Sequence, residues 1–265
     1  MATKSGNLAR YRAQAEPYKA AAEATLRGEK DILQSMRPDD SNAGAKKLAL
    51  AEEMLNLASQ YVAMSGISQT LLKSKDEDAL NNARKAVYKG IVYAEEVVTG
   101  LVDATFSEYK EKLEAIESVS PAQRYALTQK MGLAIDLVAS SYANNTKWKW
   151  TFVELRGRFA AVAKNLVNLD QIGINADPRS PHYESTVYHL RLVKKLLALA
   201  AERFREKYEL SSKSVEDFNK SLQFLGSLRR LCVLTGDRDE AETIKKKMDI
   251  WNSKLTADIR SKAKK

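Results

Sequence analysis

The side chains best suited to chemistry in this sequence are its two histidines, His182 and His189. They stand seven residues apart, a spacing that brings side chains to one face of a helix. Neither belongs to a Glu-x-x-His or His-Glu-x-x-His pattern, the spacings that helical metal sites use. We therefore expect no metal and no cofactor. Because Asp177, Arg179 and His182 cluster in one segment, an enzymatic site between helices stays a hypothesis, with a hydrolase or transferase reaction to be tested.

Other catalytic signatures are missing from the sequence. It has no Gly-x-Ser-x-Gly elbow, and its glycines are too scattered to form a phosphate-binding loop. The single cysteine, Cys232, lies in the apolar run 231–234, where a buried inert thiol is expected. A lone cysteine suits a reducing compartment, so the sequence predicts a cytoplasmic protein without enzymatic activity.

Positive charge is concentrated in the second half of the chain. Residues 1–144 carry 18 Lys and Arg against 19 Asp and Glu, a net charge of −1, whereas residues 145–265 carry 25 against 15, a net charge of +10. Such asymmetry points to an anionic partner or an acidic protein surface. The candidates for binding it are Arg156, Arg158, Lys194, Lys195, Arg229, Arg230, Lys245, Lys246 and Lys247.

Those cations also have a simpler interpretation as solvated helix faces. Acidic residues such as Glu202, Glu206 and Glu209 stand at short helical spacings from several of them and balance their charge. The sequence does not show whether the cations share one surface.

The elements that must position these residues are helices. From Leu80 to Leu101, apolar residues recur at alternating steps of three and four, which places them on one helix face. The same periodicity elsewhere predicts an all-α fold, an antiparallel multi-helix bundle or helical-hairpin array of about eight helices. Their predicted ranges are 7–36, 43–74, 77–117, 121–142, 146–169, 182–210, 215–235 and 238–262.

Two helix starts carry local signals. Asp76, Glu77 and Asp78 suit the positive end of the helix that begins at residue 77. Ser120 precedes a proline at the first helical position, and Gln123 stands where it completes a capping box.

One segment carries two conflicting periods. Trp148, Trp150 and Phe152 alternate with polar residues as in a strand, but Trp148 and Phe152 also begin an apolar stripe that continues to Leu166. We predict a helix because the stripe lasts for five turns. Trp150 then shares a second face with Gly157, whose small size allows close approach by a neighbouring helix or a ligand, and core packing is the preferred interpretation.

The longest predicted connection, 170–181, is the best candidate for a domain boundary, because twelve residues are many for a link within a helical bundle. It separates a near-neutral helical region, 1–170, from a basic one, 182–265, although a single continuous helical domain is the alternative. The charge step near residue 145 suggests a different division.

A local resemblance occurs near the C-terminus. The segment from Leu234 to Ala241, with Leu225 and Gly226 upstream, resembles the turn and second-helix start of a tetratricopeptide-type repeat. The distance from Gly226 to Gly236 departs from the spacing of that family, and the chain holds no second copy. The prediction is therefore a generic αα-hairpin.

Together these features favour a non-enzymatic helical scaffold or adaptor that binds a protein partner through helix faces or grooves. The alternative is a nucleic-acid-binding protein that uses the basic surface of residues 145–265. No membrane span is expected, since the most apolar stretches, such as Leu190 to Ala201, are interrupted by charged residues, here Arg191, Lys194 and Lys195. The sequence does not give the oligomeric state.

Overall fold

The structure, a computed structural model, describes residues 4–37, 40–142 and 146–263. Within these ranges all the regular structure is helical, which confirms the predicted all-α fold. The α-helices are α1 (Lys4–Ser35), α2 (Ala43–Leu72), α3 (Glu77–Val97), α4 (Phe106–Glu114), α5 (Pro121–Ser141), α6 (Lys149–Asn165), α7 (Ile172–Asn175), α8 (Tyr183–Lys207), α9 (Val215–Leu234) and α10 (Arg238–Ala263). The remaining helical elements are short: two 3₁₀ turns, Thr146–Trp148 and Leu169–Gln171, and a π-helical turn, Tyr208–Ser212.

The chain divides into two compact units. Unit 1 comprises Met1–Thr99 and Lys110–Trp148, and unit 2 comprises Gly100–Tyr109 and Lys149–Lys265. The predicted linker at 170–181 lies inside unit 2, where α7 occupies part of it. The charge step near residue 145 lies closer to the division between the units than that segment does.

In unit 1, α2 packs against α1, α3 and α5. Met54, Leu80 and Ile91 are among the fully buried side chains of its core. Gly90 lets α3 approach α2 closely, since a Cβ atom there would lie 3.0 Å from the carbonyl oxygen of Ala51.

The two helix starts that carry local signals are both confirmed, and both lie in unit 1. The backbone N–H of Ala79 donates to Asp76 Oδ1 at 2.9 Å, so Asp76 caps α3. At α5, the N–H of Ser120 donates to Gln123 Oε1 at 2.8 Å, and the N–H of Gln123 donates to Ser120 Oγ at 3.3 Å. These local hydrogen bonds satisfy donors that every helix start leaves unpaired.

Unit 2 is built around α6, whose residues 159–165 are all buried. The segment around Trp150, which the sequence predicted as a helix despite a competing strand pattern, is helical, since α6 begins at Lys149. Helix α8 packs on α6 and α9, and α10 packs on α9. The α9 and α10 pair forms the predicted αα-hairpin, with Gly236 at φ +80° in its turn. Helical periodicity outweighs short alternation here because the stripe faces a core on successive turns.

The predicted third helix, 77–117, is wrong in its middle. Helix α3 ends at Val97, and helical structure resumes with α4 at Phe106. The apolar stripe runs on to Leu101, but that side chain is 62% exposed. From Gly100 the intervening segment belongs to unit 2, where side chains of α6 and α9 donate to its carbonyl oxygens in place of helical N–H groups. This break, together with the short α7, raises the number of described α-helices from the predicted eight to ten.

Candidate functional site

Lys194 is bound within unit 2. Its ammonium group on α8 donates to Asp237 Oδ2 and lies 3.2 Å from Glu240 Oε2, so it joins α8 to the turn between α9 and α10 and to the first turn of α10. The hydrogen bond from Lys194 lowers the pKa of Asp237. Lys195, the next residue, is exposed. Successive residues on a helix point about 100° apart, so these two cations do not act on one surface.

The lysine run of α10 diverges in the same way. Lys247 forms an ion pair with Glu202 of α8, and its ammonium lies 5.0 Å from the ring centre of Trp251. Lys245 and Lys246 are exposed. Because one turn of helix takes 3.6 residues, the three ammonium groups leave α10 in three directions.

Further ion pairs join the helices of unit 2. Lys207 at the end of α8 pairs with Glu154 of α6 and, at 3.0 Å, with the buried Asp217 of α9. Lys254 of α10 pairs with Glu209 in the π-helical turn. Much of the positive charge that the sequence concentrates here therefore contributes to packing between helices.

The arginine candidates lie on two helices. On α6, Arg156 is exposed and Arg158 is half-buried, and both interact with other groups of the protein. On α9, Arg229 is half-buried and Arg230 is exposed. A guanidinium nitrogen of Arg230 donates to the hydroxyl of Ser227 at 2.7 Å and to the carbonyl oxygen of Asp103 at 3.3 Å.

Arg230 belongs to a cluster that we call the carbonyl clamp, formed by Lys164, Asn165, Ser227 and Arg230. Lys164 Nζ donates to the carbonyl oxygens of Val102 at 3.2 Å and Ala104 at 2.8 Å. The Asn165 amide donates to Leu101 O at 3.1 Å, and Ser227 donates to Val102 O. These bonds hold the segment between α3 and α4 in its non-helical conformation.

Lys164 is a buried member of this cluster, and its burial was not predicted from the sequence. It is 6% exposed, and burial, reinforced by the charge of Arg230, lowers its pKa to about 8. Its ammonium also lies 5.3 Å from the ring centre of Tyr109, whose pKa is raised by burial. A lysine within an apolar stretch such as 159–167 is the only sequence signal for it. Because its ammonium group donates to backbone carbonyls of its own chain, we interpret its role as structural.

The two histidines do not form a site. His189 is buried, with Nε2 3.0 Å from the carbonyl oxygen of Ala163, whereas His182 is half-buried just before α8. Asp177 and Arg179 form an exposed bidentate ion pair, with Arg179 Nε 3.0 Å from Oδ1 and a terminal nitrogen 2.7 Å from Oδ2. That pair lowers the pKa of Asp177. Both groups therefore bind each other rather than a histidine.

Cys232 is buried, as predicted, and burial raises the pKa of its thiol to about 11. A thiol protonated at neutral pH is a poor nucleophile. Over the described ranges, no three His, Cys, Asp or Glu side chains come together as metal ligands. None of the described helices is long and apolar enough to cross a bilayer.

Comparison with known proteins gives one match. The sequence profile of the TP0443 family covers residues 7–259, nearly the whole chain, so the protein belongs to that family. No curated protein and no solved structure matches it significantly.

Proposed function

We propose that this member of the TP0443 family is a non-enzymatic helical scaffold that binds a protein partner through helix faces. The observation that carries the proposal is that large apolar side chains outside the two cores recur at helical spacing. On α5, Leu133 and Leu137 stand one turn apart and are 70% and 40% exposed. On α8, Tyr188 and Leu199 stand three turns apart and are both 48% exposed. Exposed apolar residues that line one side of a helix are typical anchors for a protein partner.

The engagement of the cations supports protein binding over nucleic-acid binding. Lys194, Lys207, Lys247 and Lys254 all pair with carboxylates of neighbouring helices in unit 2. A phosphate-binding groove needs cations that release counterions when they meet phosphates. Cations already paired with carboxylates contribute less to that exchange.

Photo-crosslinking tests the proposal. A photoreactive phenylalanine analogue replaces Leu133 or Leu199 in cells that express the full chain, and Ser253, an exposed serine of α10, is the matched control position. Discrete protein adducts are expected from the two leucine positions and not from position 253. Equal labelling at all three positions, or no protein adduct at either leucine, contradicts the proposal.

Nucleic-acid binding by residues 145–265 remains the alternative, favoured by their net charge of +10. Fluorescence anisotropy of generic RNA and DNA at low and near-physiological salt tests it, with the exposed Lys245 and Lys246 both changed to Glu. Submicromolar binding that falls steeply with salt and is lost in the variant supports the alternative. Binding absent even at low salt excludes it.

A further inference from the structure

A second stripe of residues runs along α9 on the side that does not face the core. It consists of Val215, Asn219, Leu222, Gly226, Arg229, Arg230 and Val233, and we call it the α9 seam. The spacing of three and four residues places the whole seam on one face. The core face of the same helix carries Phe218, Leu225, Leu228 and Cys232, all buried. The seam is therefore an additional helix face rather than part of the core.

Exposure and composition distinguish the seam from an ordinary solvated face. Val233 is 56% exposed and Val215 is 38% exposed, and Asn219 is also exposed. After Asp217, α9 contains no acidic residue, so the seam combines apolar side chains with the two arginines. An ordinary solvated helix face mixes charges of both signs, as the exposed side of α10 does with Lys246, Asp249 and Glu242.

Glycine stands at the middle of the seam. A glycine inside a helix lowers its stability, and close packing within the chain usually explains it. At Gly226 a Cβ atom would come no nearer than 3.7 Å to Arg230 and to Met248 of α10, which is ordinary contact. The fold of this chain therefore does not require a glycine at that position, in contrast to Gly157, where a Cβ would lie 2.5 Å from Phe204. A side chain of a bound partner has room to approach the helix at Gly226.

Neighbouring groups add positive charge to the seam. Met248 meets the seam at Gly226, and Lys245 lies three residues earlier on the same side of α10. The Nε atom of Arg229 is buried and has no hydrogen-bond partner among the described residues. The seam has no aromatic side chain on which a nucleic-acid base would stack. Its charge and apolar spacing fit a helix that carries both carboxylates and apolar residues.

We propose that the α9 seam docks an acidic amphipathic helix of a partner protein. The inference rests on the proposed scaffold function and specifies the class of its partner. Apolar residues of the partner pack along Val215, Leu222 and Val233. Its carboxylates pair with the terminal nitrogens of Arg229 and with the N–H groups of Arg230 that do not bind Ser227 and Asp103. At 1.5 Å per residue, the seam spans about 27 Å and accepts a helix of about 18 residues.

Selection from a peptide library tests the seam directly. The full chain is used to select from displayed 18-residue amphipathic helices whose net charge varies from acidic to basic. Val233→Glu and Asn219→Glu place a negative charge on the seam. Ile250→Glu is the matched control, because Ile250 is 68% exposed on α10 and the charge change is the same. Far-UV circular dichroism and thermal melting establish that each variant is folded.

The expected result is enrichment of acidic helices with apolar residues every three or four positions. Each seam variant should weaken their binding at least tenfold, and Ile250→Glu should leave it within a factor of two. Enrichment of neutral or basic peptides, an absence of enrichment, or an equal loss of peptide binding in all three variants would overturn the inference.

Two other outcomes separate this inference from the proposed function. Acidic peptides whose binding is unaffected by the seam variants refute the seam. The scaffold function is then tested separately by the crosslinks at Leu133 and Leu199, which lie on α5 and α8 rather than on α9. A dimer in light scattering that dissociates with Val233→Glu identifies a second copy of this chain as the occupant and overturns the assignment to an acidic partner. Loss of RNA binding in Val233→Glu, without peptide binding, would assign the seam to nucleic acid instead.

Discussion

Replacing Gly157 by alanine tests the packing of unit 2 most directly. A Cβ atom at position 157 would lie 2.5 Å from Cε2 and 3.0 Å from Cζ of Phe204, and 3.3 Å from Cζ of Phe224. Carbon atoms normally approach to about 3.5–4.0 Å, so the ring must move by roughly 1 Å. Phe204 is 2% exposed and stacks on Phe224 with ring centres 5.5 Å apart. In a close-packed core, a shift of one ring therefore displaces the other.

The expected loss follows from two opposing effects. Overpacking a core costs about 1–3 kcal/mol, and the rigid stacked rings put this site at the upper end. Alanine is favoured over glycine inside a helix by about 1 kcal/mol, which offsets part of the loss. We expect Gly157→Ala to lower the free energy of unfolding of unit 2 by about 2 kcal/mol. At that size the midpoint temperature should fall by roughly 5–10 °C.

Gly226→Ala is the matched control, because it makes the same chemical change inside another helix of unit 2. Its Cβ would meet only ordinary contacts at 3.7 Å. We therefore expect it to stabilise unit 2 by about 0.5–1 kcal/mol. Urea unfolding followed by tryptophan fluorescence measures both variants. A Trp148→Phe background leaves Trp150 and Trp251, both in unit 2, as the reporters.

A double-mutant cycle identifies the ring that causes the loss. Phe204→Leu removes the atoms that the new methyl group meets, so Gly157→Ala should cost at least about 1 kcal/mol less in that background. Gly157→Ala that is as stable as the parent protein, or a cycle without coupling, would refute the packing argument. Equal destabilisation by Gly226→Ala, in α9, would show that the loss at Gly157 does not depend on close approach of a ring.

Three further predictions concern local interactions. Between pH 8 and 9.5 the free energy of unfolding should rise by about 1–2 kcal/mol relative to that of a Lys164→Met variant. The reason is that the pKa of Lys164 is about 8 in the folded chain and 10.5 ordinarily, so the unfolded chain binds more protons in that pH range. Stability curves from urea unfolding that run parallel for the two proteins would contradict this. Ser120→Ala should destabilise unit 1 by about 1 kcal/mol in thermal melts, since it removes the cap that accepts from Gln123, and an unchanged midpoint would disprove that role of the cap. Lys247→Ala should cost less than about 1 kcal/mol, because its pair with Glu202 is solvent-exposed, and a larger loss by urea unfolding would show that the pair is more strongly coupled to the core than its exposure indicates.

Local signals in the sequence predicted much of the fold. The capping box at Ser120, the Asp76 cap and the turn at Gly236 each depend on residues within a few positions of one another. The helical stripe after Trp148 likewise needs only one face of one element. Such features can be predicted from the sequence because their hydrogen bonds and periodicity lie within short stretches of chain.

The availability of the candidate binding residues could be predicted only in part from the sequence. Composition located the excess positive charge in the second half, but not which cations were available. Lys247 and Lys194 are engaged by carboxylates more than forty residues away in sequence, whereas Lys245 is exposed. The availability of a charge depends on which helices come together, and helical periodicity within one element does not give that.

The sequence by itself determined the helical class, the caps and the charge asymmetry, because each follows from residue type and short-range spacing. Tertiary structure decided where α3 ends, although the apolar stripe continues to Leu101. Lys164, some sixty residues further on, binds the carbonyls of Val102 and Ala104. Those hydrogen bonds replace the ones that a continuing helix would have made. Long-range partners therefore outweighed local periodicity at this break, because a buried carbonyl must be satisfied whichever part of the chain supplies the donor.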